Sequence, residues 1–86
     1  MARRKQRDDT PVRVTWIPYP RHAPQPELHV IVYGRPAGTD GPLDISHDWL
    51  QQDGEWRHHE LVTHWAPLTA AAAQRPHAVQ PPPENV

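Results

Sequence analysis

A small, mainly β domain built on an antiparallel sheet is the fold class this sequence predicts, and three features carry it. Apolar and polar residues alternate with a period of two in three separate stretches. An Asp53-Gly54 pair, the strongest short hairpin signal, lies between two tryptophans. Twelve prolines and four glycines punctuate nearly every segment of the 86 residues. The expected architecture is a sheet of four to five strands with disordered N- and C-terminal tails.

The first β signal is Val12, Val14 and Trp16 alternating with Arg13 and Thr15. Pro18 and Pro20 should end it, because proline donates nothing to a ladder. The second is Leu28, Val30 and Val32 alternating with His29, Ile31 and Tyr33. Both of its faces are largely apolar, which predicts a central strand covered on two sides. Gly34 should stop it. The third is Leu43, Ile45, His47 and Trp49 alternating with Asp44, Ser46 and Asp48. The fourth begins after Asp53-Gly54. A two-residue turn there sets Gln52 opposite Glu55, Gln51 opposite Trp56 and Trp49 opposite His58, with both tryptophans on one face. A slip of one residue would separate them. A rival helix capped by Ser46 fails on Gly54 and on the missing 3.6-residue spacing. Val62, Thr63, His64 and Trp65 make a last short extended piece before Pro67. A meander of these strands predicts a core of Val14, Trp16, Val30, Val32, Ile45, Trp49, Trp56, Val62 and Trp65.

The folded part is expected at residues 11–68, a single β-rich domain. Residues 1–10 read as a disordered basic arm. Residues 69–86, with their alanine run and Pro81-Pro82-Pro83, read as an Ala/Pro-rich flexible tail. Ala70 to Ala73 could make one helical turn, but short isolated helices are marginal in water. A core this small supplies about 3–5 kcal/mol of net stability.

A net charge of -1 provides no overall field for nucleic acid or an acidic membrane. The absence of cysteine removes disulfides, thiolate metal sites and cysteine nucleophiles, and favours a reducing, cytoplasmic setting. No apolar run of signal-peptide or membrane-spanning length occurs, so no membrane association is expected. Eight arginines to one lysine, with no phenylalanine, read as the imprint of GC-rich coding.

Three segments carry a resemblance. They are Thr15-Trp16-Ile17-Pro18, then Glu27-Leu28-His29-Val30-Ile31-Val32-Tyr33, and then Asp53-Gly54-Glu55-Trp56 followed by Val62-Thr63-His64-Trp65-Ala66-Pro67-Leu68. Their order resembles the small phage and prophage proteins grouped as domain of unknown function 551. The match covers about residues 15–68, and its closing segment is the most specific part. Ala66 and Thr69 depart from that pattern, which usually has methionine and proline there. The resemblance implies a phage or mobile-element context and a fold, but no reaction.

Four constellations bear on function. The seven histidines include a cluster of His58, His59 and His64, with His47 placed near His58 across the expected hairpin. His47, His58 and His64 are therefore the candidate metal ligands, with Glu60 as a further donor. Their spacing matches no standard zinc pattern, so no metal or other cofactor is assigned. Arg3, Arg4, Lys5 and Arg7 could contact phosphates, although Asp8 and Asp9 partly cancel their field. Tyr19, Trp49, Trp56, His64 and Trp65 are the candidate partner contacts, with Tyr19 the best exposed one because it sits in a proline-rich loop. Carboxylates and the Ser46-His47 pair offer catalytic groups, but neighbours on a strand face opposite ways, so no catalytic residue is assigned. The expected function is that of a non-catalytic accessory protein acting by protein contacts. The alternative is a nucleic-acid-binding module using the basic arm and exposed aromatics. Neither the partner's identity nor the oligomeric state can be read from these residues.

Overall fold

The computed structural model describes residues 11–83. It contains β1 (Ile17–Pro18), β2 (His29–Pro36), β3 (Asp44–Trp49), β4 (His59–Pro67), a short helix α1 (Ala70–Gln74) and a 3-10 turn (Pro76–Ala78). The four strands form one antiparallel sheet in the order β1-β4-β2-β3. The sheet is therefore not a meander. β2 lies in its interior, as two apolar faces on one strand require.

Val30 and Val32 point to one face, together with Leu50, Trp56, Val62 and Trp65. This face is covered by the 50–56 hairpin and by the loop after β1, and is called the hairpin face. Trp65 Nε1 donates to the carbonyl of His22 at 2.9 Å, which ties that loop down. Ile31 points the other way, onto Val12, Ala72 and Val79. This second face, covered by the N-terminal segment and α1, is called the helix face.

The first expected strand is not a ladder strand. Val12 is buried, Val14 and Trp16 are half-buried, and Arg13 and Thr15 are exposed, so the alternation is real. However, Val12 pairs only with Val79, as an isolated bridge. The paired residues are Ile17 and Pro18, and Pro18 is tolerated because β1 lies at the sheet edge. The closing pieces expected after Asp53-Gly54 and at Val62 merge into the nine-residue β4.

The hairpin register also differs from expectation. Gly54 N–H donates to Gln51 O at 3.0 Å, Gln51 N–H to Glu55 O at 2.9 Å, and Leu50 pairs with Trp56. The loop thus has three residues, with Gly54 at φ 89°. A two-residue type I′ turn would need positive φ at Asp53 as well, and in this hairpin only Gly54 adopts it. The slip sends Trp56 and Leu50 into the hairpin-face core and Trp49 to the helix face.

β4 approaches β2 closely at Gly34, where a Cβ would run into the backbone carbonyl oxygen of Leu61. The β2-β4 register shifts there and again at Arg35/Pro36. Such irregularities bend a strand and sharpen its twist. The consequence is visible at Asp48 and His59. They flank β2 on opposite sides, opposite Val30 and Pro36 respectively, yet their side chains meet at 2.7 Å. Only a sheet that coils over its hairpin face can bring them together.

Packing continues past Leu68, where the expected domain boundary falls. Thr69 caps α1, its hydroxyl accepting from Ala72 N at 3.1 Å, and Ala72 and Val79 are buried on the helix face. A five-residue helix would not hold alone; here the sheet supplies what its length lacks. Residues 1–10, where the disordered basic arm is expected, and residues 84–86 of the expected tail lie outside the described residues. Among the described residues no helix is long and apolar enough to cross a membrane.

Candidate functional site

The expected core divides by burial. Val30, Val32, Trp56, Val62 and Trp65 are buried. Val14, Trp16, Ile45 and Trp49 are only half-buried and edge the helix face. Trp56 and Trp65 are thus core residues and offer no partner contact surface. Tyr19 is not an exposed contact either. It packs against the hairpin-face core with its ring edge-on to Trp56 at 5.3 Å. His64 lies beneath Trp16, with ring centroids 6.5 Å apart, and its Nδ1 is 3.0 Å from the Thr63 hydroxyl. Of the five expected contacts, Trp49 does not itself line an open surface but packs beside His47, which does, with ring centroids 5.9 Å apart.

That surface is a groove on the helix face with a volume of about 330 Å³. Ile31 and Ile45 form its floor, and Leu68, Ala72, Ala73 and Val79 form its wall. It exists because α1 is short. One buried alanine and one buried valine cover only part of the apolar face that β2 and β3 present. Leu68 is left 40% exposed at its edge.

Polar character enters from β3. His47 lines the groove, and its Nε2 is 2.9 Å from Nδ1 of His29 on β2. His29 stacks flat on Trp49, with ring centroids 4.3 Å apart and planes within 4°. His58 meets Trp49 edge-on at 5.2 Å. The three histidines weighed as metal ligands are therefore not brought together. His47 faces His29, His58 touches Trp49, and His64 is under Trp16. Among the described residues no three His, Cys, Asp or Glu side chains form a metal-holding group.

A second polar cluster is internal. Asp48 is fully buried, and its carboxylate accepts from Trp49 N at 2.8 Å and from His58 N at 3.0 Å, besides meeting His59 Nδ1. The side chain of His59 is 2% exposed. This aspartate-histidine pair has the composition of a catalytic dyad, but neither group reaches the surface. Its visible work is to hold residues 57–59 against β3. A buried carboxylate is tolerable only when its lone pairs are so occupied.

No protein-family model, curated protein or solved structure matches the chain. The site must therefore be judged on its own geometry.

Both sheet edges discourage strand addition. β1 is two residues long and contains a proline. On β3, the N–H groups of Ile45 and Trp49 donate to the side chains of the preceding Asp44 and Asp48, each at 2.8 Å, and Trp49 O accepts from Arg57 N. Short, proline-bearing and side-chain-capped edges are how sheets avoid unwanted pairing. The groove, by contrast, is apolar, open and unblocked.

The sequence offered His59 in the histidine cluster and Asp48 among the carboxylates but not their pairing, and it did not single out His29 or Val79. His29 carried a signal, since its alternation with Ile31 and Tyr33 already placed it on the face opposite Val30. Val79 carried none, being a lone valine among alanines and prolines.

Proposed function

We propose that this chain is a non-catalytic accessory protein of phage or mobile-element origin that acts in the cytoplasm by binding a protein partner through the helix-face groove. The groove itself carries the proposal. A space of about 330 Å³ is at the small end of ligand sites. It suits one or two apolar anchor side chains of a partner, the kind of contact that dominates protein interfaces. Trp49, packed beside the groove-lining His47, adds an aromatic neighbour of the sort enriched there. The phage context rests on the resemblance of residues 15–68 described above, and the cytoplasmic setting on the absence of cysteine. The alternative, a nucleic-acid-binding module, draws less support. Two of the tryptophans it would stack bases on are core residues.

The test uses substitutions at exposed groove positions, which leave the core intact. Leu68→Arg and Ala73→Arg each place a charged side chain at the groove mouth. Leu61→Arg, at a leucine 39% exposed that does not line the groove, is the control. A host protein retained by the unmodified chain and by Leu61→Arg, but lost with both groove variants, is the expected outcome. Equal retention by all four proteins would overturn the proposal. Salt-sensitive oligonucleotide binding that vanishes without residues 1–7 would replace it with the nucleic-acid reading.

A further inference from the structure

We propose that His29 and His47 form a two-histidine binding site for a divalent transition-metal ion, with copper(II) as its in vitro probe, beside the groove. It does not depend on the groove's having a protein partner.

The sheet places the pair. His29 opens β2 opposite Trp49, and His47 stands on β3 opposite Ile31, so the two are diagonal neighbours on one face of an antiparallel ladder. Diagonal cross-strand positions are within reach of long or aromatic side chains. Their facing nitrogens, His47 Nε2 and His29 Nδ1, are hydrogen-bonded at 2.9 Å, so a bound ion takes the place of the proton they share. Two nitrogens each about 2.0 Å from one ion are about 2.8 Å apart when the bonds are at right angles, and about 3.3 Å apart at the tetrahedral angle. The observed spacing is that of two adjacent corners of a square-planar or tetragonal centre. Such an ion lies off the line joining the nitrogens, so each exposed ring need only rotate about its side-chain torsions to point at it.

The donor set narrows the metal further. With no third His, Cys, Asp or Glu in a group among the described residues, the remaining positions fall to water. A structural zinc ion wants four protein ligands, and a catalytic one wants three. Copper(II) and nickel(II) accept tetragonal nitrogen and oxygen sets, and copper(II) binds most tightly along the first-row series. The rings also already lie side by side. His29 lies flat on Trp49, and the His47 ring is tilted 45° to that of His29 at 4.8 Å.

The stack provides the readout, because copper(II) on His29 lies close enough to Trp49 to quench its emission. Copper(II) chloride is titrated into the full chain at neutral pH. The expected result is saturable quenching at one equivalent, reversed by a chelator. Affinity falls at least about tenfold in His29→Ala and in His47→Gln, and is unchanged in His22→Ala. His47→Gln matters most, because it leaves the His29–Trp49 stack in place. Circular dichroism confirms that each variant is folded. Quenching that does not saturate, or an affinity the same in His47→Gln and His29→Ala as in the unmodified chain, would overturn the proposal and assign the copper to other donors.

Discussion

The two faces of this sheet share β2 but are completed in different ways. On the hairpin face, Val30 and Val32 are covered by two aromatic residues and a leucine. The connection between β3 and β4 supplies Leu50 and Trp56, and the coil of the sheet closes it over the Asp48–His59 pair. On the helix face, Ile31 is covered by Val12, Ala72 and Val79, which come from the two ends of the described chain. Large side chains on a neighbouring hairpin seal a surface. Small ones on a five-residue helix leave a groove. The first face holds the fold, and the second has room for something else.

Substitutions should separate the two faces by size of effect. The largest loss is expected for Trp56→Ala, about 3–5 kcal/mol from lost burial and the cavity left behind. In a chain with about that much net stability it should abolish the cooperative urea transition. A variant that unfolds as cooperatively as the parent would show that the hairpin face is not the main core. Asp48→Ala comes next. It leaves two backbone N–H groups and the His59 ring without their acceptor, at a cost of about 3 kcal/mol, to be read as a shift of the urea midpoint.

On the helix face the numbers are smaller. Val79→Ala removes two buried carbons, worth about 1.5 kcal/mol, and should lower the midpoint modestly while widening the groove. No shift at all would mean that the C-terminal segment contributes nothing to the domain. His29→Ala and His47→Ala lie at exposed positions beside the groove and should change stability by no more than about 0.5 kcal/mol. A loss above about 1 kcal/mol would recast the pair as a structural element rather than a binding one.

Much of the strand content was legible in local alternation. Val30 and Val32 against Ile31, and Ile45 against Ser46, already fixed which side chains share a face, because the side-chain period of a strand is two. The apolar character of both faces of β2 marked it as interior. The candidate site was less legible. His47 and Trp49 were visible as a pair on one face, but His29 was not joined to them. The partner of a strand is a long-range property that alternation does not encode.

What the sequence determined by itself was the fold class, the position of β2 and the sidedness of β2 and β3, all consequences of a period that neighbours in the chain enforce. Only the tertiary structure decided the rest. The hairpin turned by three residues rather than two, with positive φ at Gly54 but not at Asp53, and that single slip parted Trp49 from Trp56. Asp48 and His59 met because the sheet coils. Val79 became core because Val12, at the other end of the described chain, was there to pair with it. Each of these depends on segments distant in sequence approaching in space, and it is their approach, not their composition, that shapes the groove.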